Sequence, residues 1–436
     1  MKMRKFLKLM SFSVLLSCGV DSDTLPEDIF IKYYGGDGNF ELKDLIFSDE
    51  NETGLVLFGD RDGEVLDVNE ISFFEKNLYL VSVGLDGSVQ NEVMLELEDD
   101  LGTLFHYDEE AGRISRTADG GFLIIGTVLD FDFNGLSANQ VNYIVWTKVD
   151  ASLNQVDIWH IEGNGLNNYN GVDIIEMADG GILISGYTDV NGSNDFYYKK
   201  IGGTNPEWER VQTRLGSDDR LIRTLPTKSG DYVLFGQTEA LSGDGESGIN
   251  VERTIIDPDG VIQNSLIYGI SNDGGVRNDI PRDVLERPGG FVIVGTSELN
   301  DLTYEPFIML TDITGAKTSE VLYDAEFTGS PGINSSGEGL GVVQLYNNNY
   351  FVIGSIADYQ LGTENRGSEG FIMSTDQDGV KNDALGIYGL VNGDDNLVRA
   401  LTSSNGSVYI GGNFDFGGGL TQMVLMRVNP NGVLKK

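Results

Sequence analysis

A short apolar signature that ends in glycine occurs seven times in this sequence, and it restricts the possible folds more than any other feature. Each copy has a polar turn, a few β-branched or aromatic residues and then the glycine. Such self-similarity, at intervals of 50 to 67 residues, indicates a repeat fold in which each unit buries its apolar face against its neighbours. The copies are ETGLVLFG, DGGFLIIG, DGGILISG, SGDYVLFG, PGGFVIVG, NNYFVIG and NGSVYIG, ending at Gly59, Gly126, Gly186, Gly236, Gly295, Gly354 and Gly411.

The unit at residues 281–323 shows the order of the elements within a repeat. Two strands, at 282–286 and 291–296, flank a Pro-Gly-Gly turn, and a variable loop leads to a third strand at 307–311 and a fourth at 319–323. Four antiparallel strands joined by tight glycine turns make a twisted sheet, and seven such sheets arranged radially make a β-propeller. The sequence therefore predicts an all-β, seven-bladed β-propeller with four antiparallel strands per blade.

The two ends of the chain indicate how the ring closes. The seventh unit has three strand-like segments but no convincing fourth strand in residues 432–436. Residues 30–36 (FIKYYGG) precede the first unit and are similar to the fourth-strand segments that end at Gly269 and Gly389. We therefore expect the N-terminal strand to complete the last blade and to cover two sheet edges. The propeller is expected to span residues 28–436.

The first residues have the pattern of an export signal, in which a basic segment precedes the apolar stretch 9–16 and a small residue. Residues 15–18 (Leu-Leu-Ser-Cys) resemble the lipobox of bacterial lipoproteins. This resemblance implies a signal peptide at 1–17, a lipidated Cys18 followed by a tether to residue 27, and membrane attachment through several acyl chains. The alternative is an ordinary cleaved signal with an incidental cysteine. The basic residues are Lys2, Arg4, Lys5 and Lys8.

Residues 19–23 (GVDSD) resemble the surface-export signals of Bacteroidota lipoproteins. The repeat itself resembles that of bacterial surface propellers carrying D-G-G-(Y/F)-(L/I/V)-x-x-G and, more distantly, the WD-repeat and kelch propellers. These resemblances imply an outer-membrane lipoprotein of the bacterial envelope, with the choice between the periplasmic and the surface face left open. They are specific for fold and not for activity.

The charge balance limits the partners of the protein. The chain has 29 Lys+Arg against 68 Asp+Glu, a formal net charge of −39. Such a field repels nucleic acid and anionic lipid, whereas cations, basic proteins and neutral ligands remain as partners. We therefore expect no nucleic-acid partner. The simplest role for the charge is to keep an exported surface soluble.

The loops between the second and third strands vary widely in length, as expected of a binding face on a constant scaffold. Aromatic side chains on these loops are candidates to stack on sugar rings or to anchor a protein partner. For each of them singly, filling the rim between blades is the more ordinary role. These candidate ligand-binding residues are Phe131, Phe133, Tyr304, Tyr359, Phe414 and Phe416.

One of these loops has the spacing of a calcium ligand set. Asp130, Asp132 and Asn134 place oxygen atoms at alternate positions before Gly135, as a calcium loop requires. Val141 stands where an EF-hand has its closing glutamate, so an EF-hand is excluded. The remaining choice is between an irregular structural calcium site and an ordinary acidic turn, which the missing ligand favours. No other cofactor is expected.

Motifs for catalysis are sparse. Neither histidine has metal-ligand spacing, no G-x-S-x-G segment occurs, and no catalytic residue is predicted. The sequence therefore favours a lipid-anchored binding module for a protein, a glycan or a calcium-dependent contact over an enzyme. The alternative is an extracytoplasmic carbohydrate-active hydrolase or lyase with carboxylates in the central channel.

Overall fold

The structure, a computed structural model, describes residues 29–36, 38–68, 71–95, 97, 108–130, 141–214, 216–243, 245, 247–270, 277–298, 304–323, 336–357, 360–361, 364–365, 367–390 and 393–429. The regular elements within these ranges are all β-strands. No helix in the described part is long and apolar enough to cross a membrane.

All of these strands except β24, β25 and β28 fall into seven antiparallel blades. The first strands in chain order are β1 (Phe30–Tyr34), β2 (Phe40–Phe47), β3 (Gly54–Val68), β4 (Ile71–Gly84), β5 (Val89–Leu95), β6 (Asp108–Arg116), β7 (Phe122–Asp130), β8 (Val141–Val149), β9 (His160–Glu162), β10 (Tyr169–Glu176), β11 (Ile182–Thr188), β12 (Asp195–Ile201) and β13 (Trp208–Gln212). They are followed by β14 (Arg220–Pro226), β15 (Tyr232–Thr238), β16 (Asn250–Ile256), β17 (Ile262–Tyr268), β18 (Asn278–Arg287), β19 (Gly290–Glu298), β20 (Tyr304–Asp312) and β21 (Lys317–Leu322). The last strands are β22 (Gly337–Gln344), β23 (Tyr350–Ile356), β24 (Gln360–Leu361), β25 (Glu364–Asn365), β26 (Gly367–Thr375), β27 (Lys381–Tyr388), β28 (Gly393–Asp394), β29 (Asn396–Thr402), β30 (Val408–Asp415) and β31 (Thr421–Val428).

Blades one to five each take four consecutive strands, starting from β2, and blade six consists of β22, β23, β26 and β27. Blade seven consists of β29, β30, β31 and β1. The first strands of neighbouring blades contact one another around the whole ring, including β2 of blade one with β29 of blade seven. This arrangement confirms the predicted seven-bladed propeller.

Strand β1 closes the ring, as the sequence predicts. It pairs with β31 in antiparallel register from Phe30 with Arg427 to Tyr34 with Met423. The junction between blades seven and one is filled by apolar side chains, among them Leu57 and Tyr409. The last blade is therefore built from both ends of the propeller chain.

A tyrosine at the end of the fourth strand fastens several blades to their neighbours. Its hydroxyl donates to the carbonyl oxygen of a glycine in the turn between the third and fourth strands of the following blade. Each of these glycines has a positive φ, between 74° and 92°, which favours glycine. The pairs are Tyr34 with Gly87 at 2.9 Å, Tyr268 with Gly315 at 2.8 Å and Tyr323 with Gly379 at 2.6 Å.

The repeated glycine of the signature permits close contact between the first and second strands of a blade. A Cβ atom added at Gly186 would overlap the carbonyl oxygen of Asn170, and one at Gly354 would overlap that of Glu338. Because any larger residue would separate these two strands, the signature keeps glycine at this position.

Candidate functional site

The first strand of every blade has a β-bulge at an equivalent position. Bulges redirect side chains, and here they place one residue per blade at the centre of the propeller. We call this set the axial ring. Its members are Asp44, Arg113, Asp173, Arg223, Asp283, Gly341 and Arg399.

Side chains of the axial ring meet across the propeller axis. Arg399 Nη1 in blade seven lies 2.6 Å from Asp283 Oδ1 in blade five, and Arg223 in blade four also donates to this oxygen. Arg113 in blade two brings its Nη2 to 3.9 Å from the same atom. The Nε atom of Arg399 is 2.8 Å from Asp44 Oδ1 in blade one. Contacts between non-adjacent blades show that these groups fill the channel.

The ring alternates acid and base except at one position. Seven positions cannot alternate completely, because two like charges would become neighbours. Gly341 occupies the position where the alternation has to break, and Asp283 and Arg399 on either side of it pair directly. A Cβ at Gly341 would come within 2.9 Å of the carbonyl oxygen of Val398, so space for a side chain is also lacking.

Asp283 and Asp173 differ in their electrostatic environment. Burial alone would raise the pKa of Asp283, but the guanidinium groups of Arg399, Arg223 and Arg113 hold it well below its usual range. For Asp173, burial prevails and raises its pKa. The Asp173 carboxylate accepts hydrogen bonds from the amides of Ile174 at 2.9 Å and Thr224 at 2.8 Å, and no ion pair to it occurs among the described residues.

The axial ring closes the central channel. Asp44, Asp173 and Asp283 are buried, and three arginines balance their formal charge. The carboxylates of Asp44 and Asp283 are occupied by ion pairs with arginines. The side chains on the axis therefore block the channel and have no net formal charge. A ligand would have to bind on one of the two faces of the propeller.

An acidic cluster lies close to the axial ring, in the first two strands of blade one and the first strand of blade two. The ammonium of Lys43 is 3.0 Å from Glu41 Oε1, 3.7 Å from Asp60 Oδ2 and 3.8 Å from Glu110 Oε1. Burial raises the pKa of Asp60, which is 2% exposed, to about 7. The amide of Ala111 donates to its Oδ1 at 2.6 Å, whereas Oδ2 lacks a hydrogen bond among the described residues. Asp60 is thus a carboxyl group that can hold a proton near neutral pH.

Asp60 is expected to make stability fall as the pH rises from about 4 to about 7. The folded state binds a proton at Asp60 with a pKa of about 7, whereas an unfolded aspartate has about 3.9, so the folded protein holds the extra proton in this window. The Asp60→Asn variant should therefore show a flatter slope when the free energy of unfolding is measured in urea at pH 5 and pH 8. Parallel slopes for both proteins would contradict this expectation.

A polar cleft opens on the face of the loops between second and third strands, across blades two, three and four. It has a volume of about 440 Å³ and is mainly polar. We call it the asparagine cleft. Residues that line it include Asn142, Asn168, Asn170, Tyr187, Asn194 and Arg220.

The cleft adjoins a set of clasps between neighbouring blades. A polar side chain at or just before the start of the first strand of one blade accepts a hydrogen bond from a backbone amide at or just before the start of the third strand of the preceding blade. The donor amides and their acceptors are Thr421 with Asn39 at 2.9 Å, Asn142 with Asn168 at 3.0 Å, Asn194 with Asp218 at 3.2 Å, Ile249 with Asn278 at 3.0 Å and Tyr304 with Ser336 at 2.8 Å.

Of the residues named above in the axial ring, the clasps and the cleft, only Tyr304 was among the sequence candidates. A signal for the clasps exists, because the residue five positions before each ring member is Asn, Asp or Ser in all seven units. It becomes visible only when the units are aligned on the ring position rather than on the glycine signature. These positions are Asn39, Asp108, Asn168, Asp218, Asn278, Ser336 and Asp394.

The predicted aromatic residues do not share one site in the described part of the chain. Tyr304 opens β20 in blade five and is half-buried. Phe414 is 2% exposed and packs in the core beside blade six, whereas Phe416 is 44% exposed and its ring lies 5.1 Å from that of Tyr33. Phe131, Phe133 and Tyr359 lie outside the described residues, and the ligand-binding role of all six stays a prediction.

The candidate calcium ligands Asp132 and Asn134 lie outside the described residues, as does the side chain of Asp130. Cys18 also lies outside them. Elsewhere in the described ranges, no group of three or more His, Cys, Asp or Glu residues is arranged to hold a metal ion. Calcium binding therefore stays a prediction.

If the loop that contains Asp130, Asp132 and Asn134 binds calcium, the melting temperature of the protein should fall when a chelator is added. Identical melting curves with and without the chelator would contradict calcium binding.

Comparisons with known proteins show similarity of fold. No protein-family model and no curated protein matches the sequence. Among solved structures, the extracellular region of plexin A4 aligns with a TM-score of 0.51 at 8% identity, over 90% of this chain and 40% of that one. The GH93 α-L-arabinofuranosidase of Fusarium graminearum aligns at 0.43 and 14% identity, over 74% of this chain and 93% of that one. The NanB sialidase of Streptococcus pneumoniae aligns at 0.46 and 8% identity, over 93% and 71%.

Proposed function

We propose that this protein is a binding module of the bacterial cell envelope. It holds its ligand on the face of the longer loops, which are those between the second and third strands of the blades. The closed channel carries this proposal, because the axial ring fills the axis with charged side chains whose formal charges cancel, and it leaves the outer faces for ligands. A rigid scaffold with irregular loops on one face is a common way to build a binding surface. The asparagine cleft lies on that face.

The place where the chain enters the propeller supports the assignment of the ligand to this face. Phe30, at the start of β1, pairs with Arg427 near the end of β31, so the chain enters blade seven on the face opposite the longer loops. A lipid anchor at Cys18 would hold that opposite face towards the membrane. The loop face would then point away from the membrane, where it can meet ligands.

A carbohydrate-active hydrolase or lyase is the second candidate, and Asp60 is the observation that favours it. A carboxyl group with a pKa of about 7 that shares Lys43 with Glu41 and Glu110 has the properties of a general acid. Asp60 is 2% exposed, however, so a substrate would have to displace Lys43 to touch it. The binding proposal needs no such rearrangement.

Arrays of glycans and proteins probed with residues 19–436 separate the two candidates. A binding module should retain a ligand saturably and release it with unchanged mass. An enzyme should release a shortened or unsaturated product, and the Asp60→Asn variant should then lose turnover while the Asp173→Asn variant keeps it. Product formation would overturn our proposal, and the absence of retention on both arrays would contradict it as well.

A further inference from the structure

We propose that the asparagine cleft binds a neutral oligosaccharide. This inference rests on the proposed binding function and names the class of ligand. A mixed array of fixed hydrogen-bond donors and acceptors, with little apolar surface and no unpaired cation among the described lining residues, is suited to sugar hydroxyls, each of which both donates and accepts.

The side chains of the cleft are held in place by the protein itself. The Nδ2 group of Asn142 donates to Asn170 Oδ1 at 2.7 Å, and that of Asn168 donates to Asp189 Oδ2 at 2.6 Å. On the other side of the cleft, Asn194 Nδ2 donates to Asp218 Oδ1 at 2.6 Å. Because these amides are already ordered, a ligand would lose little binding free energy in fixing them.

Three of the side chains that line the cleft have a second polar group that makes no hydrogen bond within the described part of the chain. Among the described residues, no hydrogen bond is made by the Oδ1 atoms of Asn142 and Asn194, which are acceptors, or by the Nδ2 group of Asn170, which is a donor. The hydroxyl of Tyr187 adds a group that can do both. Burial is the largest influence on the pKa of Tyr187 and raises it, so the phenol stays protonated and able to donate.

The charges around the cleft favour a neutral ligand. Arg220 is paired with Asp218, through Nε at 3.0 Å and Nη2 at 2.9 Å, and both oxygens of Asp189 accept from Asn168. No unpaired cation is therefore left among the described lining residues to bind a carboxylate or a sulfate. The net charge of the chain, −39, opposes anionic sugars further.

Calorimetric titration of residues 19–436 with named sugars tests the proposal. The neutral probes are xylohexaose, mannohexaose and cellohexaose, and the anionic probe is hexagalacturonate. We expect at least one neutral probe to bind and hexagalacturonate to bind at least about tenfold more weakly. The Asn170→Ala variant should weaken the neutral complex about tenfold, and Tyr187→Phe by a smaller factor, because each removes a donor facing the sugar.

Matched controls separate a lost contact from a lost fold. Asn51→Ala, an exposed change in the turn between β2 and β3 on the opposite face, should bind as the unsubstituted protein does, and all variants should melt at similar temperatures. If Asn170→Ala and Tyr187→Phe bind the neutral sugar as tightly as the unsubstituted protein does, the assignment to the cleft is overturned. If a protein ligand is retained while no neutral sugar binds, this inference fails and the broader binding function stands.

Discussion

Replacement of Asp283 by asparagine is expected to lower the free energy of unfolding by about 3 to 5 kcal/mol. The carboxylate is buried and receives hydrogen bonds from Arg223 and Arg399, with Arg113 nearby. Asparagine can still accept from the amide of Val342, but it leaves the arginines without their common anion. Urea unfolding at pH 7, followed by tryptophan fluorescence, measures the loss.

Asp173→Asn is the matched control for Asp283→Asn. Both residues occupy the axial ring and both accept a backbone amide from the next blade, at 2.8 Å for Asp173 and 3.2 Å for Asp283. Burial raises the pKa of Asp173, so the cost of burying its charge exceeds the stabilisation that this charge gains from neighbouring groups. We expect a change near zero or a small gain. Equal losses for the two variants would show that ion pairing in the ring does not distinguish its members.

Removal of β1 is the second change for which we expect a large effect. A chain that starts at residue 37 lacks the strand that pairs with β31, and with it the buried ring of Tyr34. Loss of one large buried side chain costs about 1.5 to 3 kcal/mol, and the lost strand pairing and the exposed edge of β31 add to this. We expect a marked fall in melting temperature and a tendency to associate.

A chain that starts at residue 28 retains β1 and is the control for this deletion. A synthetic peptide of residues 28–36 should restore the melting temperature of the shortened protein, because an extended peptide can add a strand to an open sheet edge. Unchanged melting of the shortened protein, with no response to the peptide, would show that β1 does not hold the ring closed.

The number of blades and the strands within them could be predicted because their signals are local and repeated. The apolar segment before Gly186 is a strand next to a tight turn in its own short stretch of sequence, and six further copies give the count. Closure by residues 30–34 could also be predicted, because the last unit lacked a strand of the type that this segment supplies.

The axial ring could not be predicted in the same way. Its side chains reach the axis only because a bulge shifts the register, for example between Pro281 and Asp283, and strand alternation in the sequence does not reveal a bulge. The partners Asp283 and Arg399 are also 116 residues apart along the chain. Their pairing follows from the radial arrangement of the blades.

The sequence by itself determined the repeat, the sheet type, the blade count and the strand that joins the ends, since each depends on short-range patterning of apolar residues and turns. Only the tertiary structure decided that the channel is closed and that Asn142, Asn170 and Asn194 face one cleft. These outcomes depend on distances between groups from different blades. Such distances are set when the ring closes and leave no mark on any single repeat.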